Sequence, residues 1–184
     1  MPLPFAHTNT SMSSDTTTLP KVESLNIQSQ ESSTTSAKMG RTDVEFKTGD
    51  GVTLRGYFFT PENHTEGKLP CVVMSHGFSA VKDMDMPHFA SAFTKALSIT
   101  ALVYDHRGYG VSDTGVGQPR NEINPYHQIS DFQDAITYAS TREEVNPNKI
   151  AVWGSSYSGG HVFHLGAFDK RVKAVISQLS SIDS

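Results

Sequence analysis

Only one cysteine, Cys71, stands among the 184 residues, so no intramolecular disulfide can form and no metal site built on paired cysteines is available. Long apolar runs are missing too: nothing approaches the ~20 consecutive apolar residues that a membrane-crossing helix needs. The first residues show neither the continuous apolar core of a secretory signal nor the Arg-rich amphipathic pattern of a transit peptide. A cytoplasmic protein is therefore expected, and the Asn9 and Asn63 glycosylation sequons read as chance matches. Positive charge is in short supply, 15 Lys and Arg against 19 Asp and Glu for a net charge of −4. No basic footprint for nucleic acid or an anionic membrane surface results. The eight histidines are scattered without ligand spacing, and the Gly/Ser cluster at 154–160 has no Lys of the kind a phosphate-cradling loop sets before its helix. No metal or other cofactor is expected, which leaves a small-molecule or carrier-bound substrate.

What is present divides the chain in two. Residues 1–40 are rich in Ser and Thr, densest at Ser32, Ser33, Thr34, Thr35 and Ser36. Such a segment buries too little apolar surface to offset its ordering entropy, and a disordered tail is expected. From Thr42 the pattern changes. Val44 and Phe46, then Val52 and Leu54, alternate with polar residues around Gly49, Asp50 and Gly51, which predicts an antiparallel hairpin at a sheet edge. Four short, nearly continuous apolar runs follow, at 71–74, 101–104, 150–153 and 172–176, the type expected of parallel strands covered on both faces.

Helical spacing fills the gaps. Phe89, Phe93, Ala96 and Leu97 form one predicted apolar stripe; Ile129, Phe132, Ala135, Ile136 and Ala139 form another, with Asp131 and Asp134 on its wet side. Strand and helix alternating in this way predict an α/β fold, a mostly parallel, doubly wound sheet with helices on both faces.

The chemistry is concentrated where strands end. After the run at 150–153 come Gly154, Ser155, Ser156, Tyr157, Ser158, Gly159 and Gly160, and then an apolar helical segment. In a nucleophile elbow the central residue is held in a strained conformation, so its neighbours two before and two after must be small. Gly154 and Ser158 meet that need around Ser156, with Gly159 and Gly160 completing a small-residue turn. A competing register centres on Ser158, flanked by Ser156 and Gly160. Spacing favours Ser156, because a strand ending at Trp153 puts Ser156 at the tip and Ser158 in the first helical turn. Ser155 fails, since Trp153 would stand two before it. An ordinary tight αβ connection is the plain alternative.

Further features fall where such a site would need them. Ser75, His76, Gly77, Phe78 and Ser79 follow the run at 71–74, where a site at the carboxyl edge of the sheet needs a backbone donor. The N–H groups of Phe78 and of Tyr157, the residue after the nucleophile, are the candidate oxyanion donors. His76 is expected to be a hydrogen-bonded structural residue. Asp105, His106, Arg107, Gly108, Tyr109, Gly110, Val111 and Ser112 follow the run at 101–104 and by themselves read as a turn.

Taken in order, the H-G-x segment at His76, the D-x-R-G-x-G-x-S segment at Asp105 and the elbow at Ser156 resemble the α/β-hydrolase superfamily from about residue 42 to the end. The elbow sequence from Trp153 to Val162, together with the segments around His76 and Asn124, is similar to a branch of serine hydrolases and acyltransferases that includes fungal polyketide transferases. Residues 41–184 would then be the N-terminal part of such a domain, ending after about the sixth strand. The resemblance implies attack by Ser156 Oγ on an ester or thioester carbonyl and an acyl-serine intermediate, discharged to water or to an acceptor.

In this fold the acid and base follow the nucleophile in the order Ser, Asp or Glu, His, and 28 residues follow Ser156. His161 and His164 lie on the helix that leads away from the elbow and are expected to be structural. Asp169, beside Lys170 and Arg171, is expected to be solvated, and Asp183 is the other carboxylate. Two functional expectations result: an acyl hydrolase or transferase represented by part of its domain, or a truncated, inactive remnant acting as a binding or interaction module. The apolar run at 172–176, with Val172, Val175 and Ile176, is expected to be an open sheet edge through which another chain could associate.

Overall fold

A computed structural model describes residues 40–181. The predicted disordered tail lies outside the described residues apart from Gly40, and Asp183 lies outside them as well. The predicted hairpin is β1 (Gly40–Lys47) and β2 (Thr53–Thr60), antiparallel with Phe46 opposite Leu54. Its turn is closed by Thr48, whose hydroxyl accepts from Val52 N–H at 2.9 Å.

Four more strands follow, β3 (Leu69–Ser75), β4 (Thr100–Tyr104), β5 (Val145–Ser155) and β6 (Val172–Gln178). The sheet order is β1-β2-β4-β3-β5-β6, with β4, β3, β5 and β6 mutually parallel. Their connections are the helices α1 (Met86–Ala96), α2 (Pro125–Thr141) and α3 (Tyr157–Phe168). In β3 and β4 the side chains of Val73, Met74, Leu102, Val103 and Tyr104 are all buried. That explains why these strands read as continuous apolar runs: each face of the parallel sheet is covered. One core cluster joins α2 and α3 to the sheet through Phe132, Ile136, Val162 and Leu165; the other joins α1 through Met86 and Ala90 to Met74 and Trp153. Burial of a side chain such as Phe132 stabilises the fold by roughly 2–3 kcal/mol relative to leaving it in water.

The helices match expectation in place and differ in detail. Asn124 caps α2, its side chain accepting from the N–H groups of Tyr126 and His127, and Pro125 takes the first helical position, where no N–H is needed. The predicted α2 stripe is the buried face, except that Ile129 is only partly covered. Asp131, expected on the wet side, is instead fully buried, because Arg107 reaches it from the loop after β4. On α1 the predicted stripe is displaced: Met86, Ala90, Ser91 and Thr94 face inward, while Phe89, Ala96 and Leu97 are exposed. Met86 and the smaller Ala90, Ser91 and Thr94 pack against the sheet, while Phe89 lies at the margin with its ring tilted against Trp153 at 5.6 Å.

The two edges of the sheet contrast. β1 sets Arg41, Asp43, Glu45 and Lys47 in solvent, whereas β6 exposes Ala174, Val175 and Ile176 with Lys173 as its one charge. A charged edge resists strand addition and an apolar one does not. Among the described residues no helix is long and apolar enough to cross a membrane.

Candidate active site

The site lies at the carboxyl ends of β3, β4 and β5. β5 continues two residues beyond Trp153, with Gly154 paired to Ser75 and Ser177 and Ser155 paired to Gln178. The chain then turns at one residue. Ser156 has φ 52 and ψ −113, and α3 begins at Tyr157. A positive φ at a non-glycine residue costs of order 1–3 kcal/mol and persists only when the surroundings impose it. Here they do: Ser156 N–H donates to Gln178 O at 2.8 Å, while Ser156 O accepts from Gly159 N–H at 2.9 Å and from Ser181 N–H at 3.0 Å.

Steric demands explain the small residues. A Cβ on Gly154 would collide with the carbonyl of Ser158, across the turn. Gly159 and Gly160 answer to a different neighbour. A Cβ there would lie 2.8 Å from Ser180 Cα and 2.5 Å from Ser181 O respectively. These two glycines clear space for the segment after β6, whose backbone also bonds Ser156. Sequence inspection missed that segment; two glycines in the first turn of a helix, a costly choice unless backbone comes close, were the available signal.

The three serines of the elbow are in different surroundings. Ser156 is exposed, and its Oγ has no hydrogen-bond partner among the described residues. Ser158, the competing centre, is fully buried: its hydroxyl donates to His76 O and lies 3.2 Å from Ser75 Oγ and 3.1 Å from His106 Nε2. Ser155 is still in the strand.

The loop after β3 meets the elbow directly. A Cβ on Gly77 would stand 2.9 Å from Ser156 Cβ and 3.6 Å from Ser156 Oγ. Phe78, the next residue, is 62% exposed, and its ring meets that of Tyr157 edge to face at 5.9 Å. Neither the Phe78 N–H nor the Tyr157 N–H has an acceptor among the described residues. These two N–H groups belong to the residues that follow Gly77 and Ser156, which are in contact.

The loop after β4 is more than a turn. Asp105 is fully buried and accepts from Lys82 N–H at 2.7 Å, Lys82 Nζ at 3.0 Å and Val111 N–H at 3.1 Å. It therefore ties the segment carrying Phe78 to the end of β4. Arg107 forks between Asp131, 2.8 Å from Nε, and Asp50, 2.8 Å from Nη1, and so binds this loop to α2 and to the β1–β2 turn. The guanidinium holds the Asp50 carboxyl down at about 2.

Three histidine rings fill the space beneath the elbow. His76 and His106 meet edge to face at 4.5 Å, and His106 and His161 at 6.0 Å. Burial pushes all three imidazoles below their ordinary value, His161 to about 4. His161 Nδ1 lies 3.4 Å from Ser158 Oγ, not against Ser156, and His164 is exposed on the outer side of α3. Asp169, expected in solvent, is 8% exposed and paired to Arg171, whose Nη2 is 2.6 Å away. No described histidine or carboxylate is hydrogen-bonded to Ser156 Oγ.

Comparison with known proteins follows the same residues. A family model described as alpha/beta hydrolase fold matches residues 70–184. A polyketide transferase of a Penicillium species, GrgF, is 41% identical over 150 residues, 82% of this chain and 48% of that protein. A thiohydrolase of Aspergillus aculeatus is 39% identical over 142 residues, 77% of this chain and 42% of that one. The crystal structure of the α/β hydrolase GrgF superposes with a TM-score of 0.66, covering 73% of this chain and 44% of that one. The chain spans about half the length of the curated relatives it matches.

Proposed function

The chain belongs to the alpha/beta hydrolase fold family, and on that premise we propose that it carries the nucleophile side of a serine-dependent acyl hydrolase or acyltransferase, with Ser156 as the attacking residue. The observation that carries this assignment is the contrast within the elbow. Ser156 alone is exposed, held at positive φ and free of a hydrogen-bond partner at Oγ, while Ser158 is buried and bonded.

Ser156 Oγ adds to the acyl carbon, and the carbonyl π electrons move to oxygen. The N–H groups of Phe78 and Tyr157 stabilise the resulting oxyanion; each donor of this kind is worth on the order of 10²–10³ in rate. Collapse of the adduct breaks the bond to the leaving alkoxide or thiolate and leaves an acyl-serine. Water then releases the acid, and an alcohol or amine acceptor takes the acyl group instead. The proton leaving Ser156 needs a base. His161 is turned toward Ser158 and lowered to about 4, so among the described residues it is not placed to take that proton.

The substrate is a small-molecule or carrier-bound ester or thioester, in keeping with relatives named polyketide transferase and thiohydrolase. A polyketide or other secondary-metabolite acyl group, handled in the cytoplasm, fits both names. A fluorophosphonate probe followed by intact-mass analysis and peptide mapping tests the assignment. Slow formation of a single adduct at Ser156, absent from Ser156→Ala, is expected of the 184-residue chain. An adduct mapped to Ser158, or labelling undiminished in Ser156→Ala, refutes it.

A further inference from the structure

His76 is 2% exposed, and both of its ring nitrogens are engaged. Nε2 accepts from the backbone N–H of His106 at 3.2 Å, and Nδ1 lies 3.0 Å from the carbonyl oxygen of Gly77. A backbone N–H can only donate, so Nε2 carries no proton. The single proton of the neutral ring is then on Nδ1, where it donates to Gly77 O. The carbonyl of Gly77 and the N–H of Phe78 belong to one peptide unit, and no peptide bond among the described residues is cis. In a trans peptide these two groups point to opposite sides. The carbonyl also accepts from Ala80 N–H at 3.3 Å, so the imidazole is the shorter of its two tethers, and holding the carbonyl there fixes where the Phe78 N–H points.

We propose that His76 is a positioning residue whose Nδ1–H holds the Gly77 carbonyl and thereby aims the Phe78 N–H at the oxygen that gains charge when Ser156 attacks. The neighbouring contacts make this a rigid lever. His76 O accepts from Ser158 Oγ, which anchors the residue to the first turn of α3. The ring is wedged edge to face against His106 at 4.5 Å and tilted against Tyr109 at 5.8 Å. Gly77 abuts Ser156, 2.9 Å from a Cβ position to the nucleophile's own Cβ, so this peptide borders the reacting atoms. His106 thus contributes through its main chain by selecting the tautomer, and Ser158 by fixing the carbonyl before the lever. The inference rests on Ser156 being the nucleophile.

The test uses the whole 184-residue chain with His76→Asn and His76→Leu. The Asn amide nitrogen reproduces the position of Nδ1; Leu fills the space with no donor. Three quantities are read: the ring tautomer at pH 7 by long-range ¹H–¹⁵N correlation, the amide signal of Phe78, and the rate of phosphonylation of Ser156. The wild-type ring is expected neutral with its proton on Nδ1. His76→Leu is expected to move the Phe78 amide and to slow phosphonylation by about 10²-fold, the loss of one oxyanion donor. His76→Asn is expected to stay within about tenfold of wild type, a rescue that packing alone does not provide. A proton on Nε2, a charged ring at pH 7, or a Phe78 amide unmoved in His76→Leu overturns the inference. Undiminished labelling of Ser156→Ala removes the nucleophile assignment itself and with it the role of this N–H. Failure of the lever alone shows a blank Ser156→Ala beside a Phe78 signal indifferent to residue 76.

Discussion

Acid should destabilise this protein through the histidines beneath the elbow, and His161 allows the effect to be sized. It is 4% exposed, packed between the rings of Tyr157 at 4.9 Å and His106 at 6.0 Å. Burial, reinforced by His164 and His76, lowers its imidazole from 6.5 to about 4. The folded state thus binds the proton less readily than the unfolded chain. Above pH 7 the ring is neutral in both states and contributes no pH dependence. Below 6.5 the unfolded chain gains a proton that the folded state refuses, and stability falls until the pH reaches about 4. Each tenfold difference in proton affinity is worth ~1.4 kcal/mol, so this one group accounts for about 2 kcal/mol of lost stability between pH 8 and pH 5. His76 and His106, also lowered by burial, add to the loss in the same direction. The paired carboxylates Asp50, Asp83, Asp113 and Asp169 are all shifted downward and stay ionised through this window. Urea unfolding at pH 8 and pH 5, followed by fluorescence of the buried Trp153, measures the drop. His161→Leu should remove about 2 kcal/mol of it. A variant that keeps the full drop, or a wild type equally stable at both pH values, refutes the burial argument. It would also reopen His161 as a base, since a base works best with a pKa near the operating pH.

Three other substitutions separate strain, packing and charge. Ser156→Gly should raise stability by about 1 kcal/mol, relief of the positive-φ strain set against the entropy of glycine, while abolishing phosphonylation; a destabilised variant in urea unfolding would mean the elbow is not strained. Ser158→Ala leaves the His76 carbonyl without its donor and should cost about 1–3 kcal/mol by the same assay, and an unchanged midpoint would contradict the buried network. Arg107→Leu strands the fully buried Asp131 and should cost roughly 3–5 kcal/mol. Arg107→Lys should recover only part of this, because one ammonium cannot fork to both Asp131 and Asp50; full recovery would show that charge alone, without the fork, suffices.

Strand positions were legible because a parallel sheet covered on both faces demands unbroken apolar runs, and 71–74, 101–104 and 150–153 all became inner strands. The elbow was legible because its steric rule is local: Gly154 must be small on account of Ser158, four residues away. The displaced stripe of α1 was not legible, since several apolar residues competed for one buried face and the packing against the sheet took Met86 and Ala90 with Ser91 and Thr94. Asp131 and Asp169 were misjudged for a related reason. For Asp131 the partner was out of sight, since Arg107 stands 24 residues away; for Asp169 the partner, Arg171, was in view two residues on, and what the sequence did not show was that the pair packs down against α2 through Gln133 and Thr137.

From its sequence alone, the chain determined its alternation of strand and helix and the place of the crowded turn, which follow from neighbours within a few residues, and its family, which follows from the order of short local motifs. Tertiary structure alone decided which serine is exposed, which histidine nitrogen holds the Gly77 carbonyl, and that the backbone of Gln178 and Ser181 holds Ser156 in its strained conformation. Those relations join segments 22 to 82 residues apart or depend on which way a ring faces. Such relations are set by the packing of the sheet and leave no periodic trace along the chain.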